Sequence, residues 1–215
     1  MQLNQRADVL DISVDGDLWA QLQIPQLGDQ TPTITIQQID SEWQLVHLEW
    51  ELSEALAQDS LALDFDLSLD PDFWWAPHLA PEPGTCIGQH VFRSPALIAS
   101  EGVRTLVLVP ELEICGSRPE NPWFMDIDAQ EKQLALGMTS TTIGRHVEYL
   151  RVAGMTFEPG TVELGFFVAA YIDADEPRNP WSRVTRFLWD RYSRPLLAQG
   201  QPLSVPLDRY TEHVY

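Results

Sequence analysis

Lysine is almost absent from this 215-residue chain: of 13 basic residues only Lys132 is a lysine, against 32 acids and a net charge of −19. Such a surface repels phosphate backbones and anionic lipid, which argues against nucleic-acid and membrane-surface partners. Cysteine is scarce too. Cys86 and Cys115 are too few for a disulfide framework. One bridge is open to them, but two unpaired thiols in a reducing compartment are the preferred reading. The stretch from Met1 to Gly16 has no basic region leading into an apolar one, and no apolar run reaches the length of a membrane span. A cytoplasmic protein is therefore expected. Nucleophile elbow, phosphate loop, dinucleotide fingerprint and paired-histidine zinc motif are all missing, as are internal repeats.

Alternation is what the chain has in abundance. From Asp59 to Asp70, Leu61, Leu63, Phe65, Leu67 and Leu69 interleave with Ala62, Asp64, Asp66, Ser68 and Asp70. A period of two means an extended strand with one apolar and one polar face. Val9–Val14 runs through Asp15-Gly16, a hairpin signal, into Leu18–Ile24. Thr31–Ile39 is β-branched, and Val46, Leu48, Trp50 and Leu52 oppose His47, Glu49 and Glu51. Val103–Val109, Trp123–Asp128, Gln133–Thr139, His146–Phe157 and Thr161–Asp173 bring the total to about a dozen strands. The last is apolar on both sides, with Phe167, Ala169 and Tyr171 opposite Val162, Leu164, Phe166, Val168, Ala170 and Ile172. A cover over that second face is required, from a neighbouring domain or a second copy of the chain.

Two segments break the rhythm. Residues 71 to 90 carry Pro71, Pro77, Pro81, Pro83 and Gly84 around Phe73, Trp74 and Trp75, which predicts a long ordered loop without ladders. At Asn179-Pro180 the code turns helical: Trp181, Val184, Leu188 and Tyr192 share a stripe, beside Arg183, Arg186, Arg191 and Arg194. Pro195 is expected to end or kink this helix, and Pro206 to Tyr215 to start another. The division expected is a β domain over 1–175 and a helical linker over 176–215. The fold class is mainly β, a large antiparallel sandwich with a C-terminal linker helix.

Candidate chemistry is sparse. His78, Cys86 and His90 lie close in sequence but match no zinc module, so no metal or other cofactor is expected. Asp64, Asp66 and Asp70 read as a solvated face or a dock for the Arg-rich helix rather than a calcium site. Glu111, Glu113 and Asp126 are weak candidates for carboxylate catalysis. The best functional surface is the loop containing Trp74, Trp75 and His78, because indole faces stack on sugars while polar groups reach hydroxyls. The competing reading is that the tryptophans plug the sandwich end. Arg93 in the Phe92-Arg93-Ser94-Pro95 stretch, with His90 beside it, is a second candidate.

The order of a many-stranded region, the Trp74-Trp75-Ala76-Pro77-His78-Leu79 loop, the FRSPALI and LVLVPELE stretches, then NPWSRVTRFLWDRY and YTEHVY supports a family reading. It resembles the N-terminal β-sandwich (supersandwich) domain of bacterial enzymes with an (α/α)6 catalytic barrel, mostly glycoside hydrolases. The resemblance implies a non-catalytic domain that supports the barrel. It also implies that the loop from Phe73 to His78, with Trp74, Trp75 and His78, helps line the sugar cleft; Arg93 stays a substrate-binding candidate on its own residues alone. It transfers no catalytic residue, since the acid and base of such enzymes sit in the barrel. An independent sugar-binding module is the first rival. A mutarotase-like enzyme using His78, His90 or His146 is the second.

Overall fold

In the computed structural model, residues 1–75, 85–87, 95–115, 123–145, 148–173 and 179–199 are described. They contain a sandwich of two six-stranded antiparallel sheets. The first runs β1 (Gln2–Arg6), β2 (Val9–Val14), β3 (Asp17–Gln23), β7 (Ser60–Leu67), β13 (Gln133–Thr139), β12 (Trp123–Asp128). The second runs β4 (Thr33–Gln38), β5 (Trp43–Leu52), β17 (Gly160–Ile172), β11 (Arg104–Pro110), β10 (Leu97–Glu101), β8 (Phe73–Trp75). Smaller sheets join β14 (Thr141–Arg145), β15 (Glu148–Arg151) and β9 (Thr85–Ile87), and β16 (Thr156–Phe157) with β6 (Leu56–Ala57).

Alternation fixes which residues meet between the sheets. Leu61, Leu63 and Phe65 of β7 and Leu134, Leu136 and Met138 of β13 face Val46, Leu48 and Trp50 of β5 and Leu164, Phe166 and Val168 of β17, all fully buried. The Phe65 and Phe166 rings join the sheets edge to face, with centroids 5.1 Å apart. The hairpin signal is realised: Asp15 and Gly16 both take positive φ, 52° and 90°, between Val14 and Asp17. A two-residue turn with both residues in that region matches the right-handed twist of its strands.

Two expectations are corrected, and of two alternatives at Pro195 one is removed. The proline-dense stretch is not ladder-free: Phe73–Trp75 pairs with β10 and Thr85–Ile87 with β15, because both triplets lack proline. The single strand expected over 146–157 is two short ones in different sheets, β15 and β16. At Pro195, the position expected to end or kink the helix, the helix does not end. After α2 (Trp181–Leu188) the backbone widens to a π-helical turn over Trp189–Ser193, where the Arg194 N–H bonds Trp189 O, and α3 (Arg194–Gln199) follows. A wider turn just before proline is one way a helix absorbs the missing N–H.

The doubly apolar strand is confirmed, with a change of meaning. Phe167, Ala169 and Tyr171 are buried, as are Val107 and Val109 on the same face. That burial is reached within this one chain. Part of the cover is α1 (Leu112–Cys115), a single turn packed on β17. By compactness the chain divides into Met1–Pro180 and Trp181–Tyr215, five residues later than the composition shift placed it. Among the described residues no helix is long and apolar enough to cross a membrane.

Candidate functional site

The expected tryptophan site separates in the structure. Trp74 and Trp75 are successive residues of the edge strand β8, opposite Ala99 and Ile98, so their side chains leave opposite faces of the sheet. Trp74 packs against the hydrophobic core. That is the plug reading for this residue. Trp75 is half-buried on the other face. His78 and Arg93 lie outside the described residues, as do His90, His146 and the segment from Pro206 to Tyr215. The cleft lined by Leu27, Gly28, Leu52, Glu54 and Leu56 holds about 210 Å³, smaller than the roughly 300 Å³ at which ligand pockets begin.

The acidic face of the first sheet is internally paired. Gln133 Nε2 donates to Asp66 Oδ1 at 2.9 Å, and Gln21 Nε2 donates to Asp11 Oδ1 at 2.8 Å. Asp70 meets Lys132 at 2.9 Å in the open, a pair of small energetic weight. Arg151 of β15 pairs with Asp126 and lies 4.3 Å above the Phe124 ring, tying the three-stranded sheet to this face. Asp126 is thus engaged in a structural ion pair. Burial pushes the Asp64 carboxyl up, Arg151 opposes the shift, and Asp66 adds to it. A raised acid favours the fold below its unfolded value of about 4, and that contribution is lost as pH rises through the folded value. Asp64→Asn is therefore expected to raise the melting temperature at pH 7, with the gain fading below about pH 4. Melting curves from pH 3 to 8 check this, and a variant less stable at neutral pH contradicts it.

On the far side, Gly165 of β17 accepts the Glu111 N–H at 2.8 Å and the Cys115 thiol at 3.5 Å. Cys115 is a free, buried thiol. Burial, more than the adjacent Glu111, pushes it up to about 12, so it is a poor nucleophile. Glu111 is itself buried against this turn, a structural position rather than a cleft wall.

Beside Gly165, three polar side chains converge on the outer face of the second sheet. His47 and Glu49 stand two apart on β5, and the register sets Glu163 of β17 directly across from Glu49. One ligand-type atom from each lies within 4.8 Å of the other two. His47 Nε2 approaches Glu163 Oε1 to 3.0 Å. The direction is wrong for an N–H···O bond, so the buried Nε2 is left without a hydrogen bond. Alternation marks His47 and Glu49 as outward-facing, but no sequence signal announces Glu163 as their neighbour. Neither a scan against protein-family models nor a search of curated proteins finds a match to this chain.

Proposed function

We propose that this chain is a non-catalytic β-sandwich domain of a carbohydrate-processing enzyme, working in the cytoplasm and buttressing a helical catalytic domain through its C-terminal helical unit. The observation that carries the reading is the surface of that unit. Trp189 is 53% exposed and Leu197 56% exposed, on a helical segment that also carries Arg186, Arg191 and Arg194. Tryptophan and arginine are the residues that anchor protein interfaces, and an exposed indole on a helix is a natural docking knob. The free Cys115 thiol fits a reducing compartment. The sugar assignment rests on the family resemblance, with Trp75 the indole that stays half-open beside the substrate.

Two measurements test this. The native polypeptide, detected with antibodies to the sandwich, is expected to be several hundred residues longer than this chain (about one to two further domains). The isolated chain is expected to give no heat on titration with oligosaccharides and no turnover of aryl glycosides. A native protein of this length alone that binds sugars, with binding abolished by Trp75→Ala, establishes the sugar-binding module instead. Turnover by the isolated chain overturns the non-catalytic reading.

A further inference from the structure

We propose that His47, Glu49 and Glu163 form a binding site for a divalent first-row metal ion, zinc being the one best suited to their donors. The inference is independent of any role in sugar processing. Imidazole nitrogen and carboxylate oxygen are both ordinary zinc ligands, and three protein ligands plus water make a complete shell. The spacing fits. Two donors each about 2.1 Å from one zinc ion stand roughly 3.0 to 3.4 Å apart at angles between 90° and tetrahedral. His47 Nε2 and Glu163 Oε1 already stand at 3.0 Å, and all three donor atoms fall within 4.8 Å. Small side-chain rotations on a rigid ladder bring the third into range.

Electrostatics points the same way. Glu49 and Glu163 are directly cross-strand, where like charges repel. Among the described residues no arginine or lysine pairs with either. A protonated His47 relieves one charge at most, and its Nε2 is not aligned to donate to the carboxylate. A divalent cation neutralises both glutamates and uses the Nε2 lone pair that the hydrogen-bond network leaves idle. Glu51, the next acid along this face, accepts the Thr161 hydroxyl at 2.7 Å. It is held out of the cluster. On the other side of β5 the paired residues are Thr33 and Thr35, both exposed. Short side chains there leave room for water to complete the coordination, so the ion would keep at least one exchangeable position.

The experiment is a titration of zinc chloride into the tag-free, chelator-stripped full chain, followed calorimetrically and by melting temperature. One site of micromolar affinity or better is expected above the weak background of an acidic surface, with a melting temperature that rises with zinc. His47→Ala and Glu163→Gln should each weaken that site by at least about tenfold and abolish the rise. Asp66→Asn, on the other sheet, should leave both unchanged. Circular dichroism verifies folding of each variant; if His47→Ala does not fold, the near-isosteric Glu163→Gln decides. Zinc binding that is indistinguishable between wild type and Glu163→Gln, or that produces no rise in melting temperature, overturns the proposal.

Discussion

Phe166→Ala is expected to lower the unfolding free energy by about 3 to 5 kcal/mol and the melting temperature by on the order of 10 °C. Phe166 is fully buried on β17, between β5 and β11, and meets Phe65 of the opposite sheet edge to face at an interplanar angle of 86°. Truncation removes the transfer free energy of the ring and leaves a void that neighbours held in two hydrogen-bonded ladders cannot close. It also removes the aromatic pair, worth about 1 kcal/mol beyond area. Ile36→Ala, at a position 38% exposed on the edge strand β4, should change stability by no more than about 0.5 kcal/mol. Urea denaturation of both variants makes the comparison. If the two losses are similar, the sandwich core is not centred on the Phe65–Phe166 contact.

Gly137→Ala should be as damaging, although it adds only one methyl group. Gly137 lies in β13 opposite Ala62 of β7, in the interior of the first sheet. A Cβ there would stand 2.2 Å from the Leu61 carbonyl oxygen and 2.8 Å from Ala62 Cα. Both are backbone atoms of a paired strand, so no rotamer change relieves the clash; the β13–β7 ladder must separate locally. A loss of about 3 kcal/mol or more is expected, and Gly137→Val should fail to give soluble folded protein. Gly102 supplies the contrast, since a Cβ there meets nothing within 4 Å and only its φ of +59° resists substitution. Thermal melts of the two alanine variants rank the effects. A Gly137→Ala protein as stable as Gly102→Ala would falsify the close-approach account.

Much of the strand pattern was legible because alternation is a local property. Leu61, Leu63 and Phe65 turned inward and Asp64 and Asp66 outward, as their spacing required. The edge strands were less visible. β1, with its mostly exposed polar residues, and β8, a triplet among prolines, lack the apolar alternation that marks a central strand. The short turn α1 was missed for a similar reason, since four residues carry too little periodicity to register. Trp74 and Trp75 looked like a single aromatic surface, yet adjacency in a strand sends neighbours to opposite faces. Asp126 looked like a candidate acid until Arg151 proved to be its partner.

By itself the sequence determined that this is an acidic antiparallel sandwich followed by a helical segment, because face alternation, turn residues and helix spacing act over a few neighbouring positions. Only the tertiary structure decided which strands lie side by side, that the second face of β17 is covered within the chain, and that Glu163 completes a cluster with His47 and Glu49. Those outcomes depend on pairing register between strands more than a hundred residues apart. A slip of one residue would leave every local signal intact and send Glu163 to the other face.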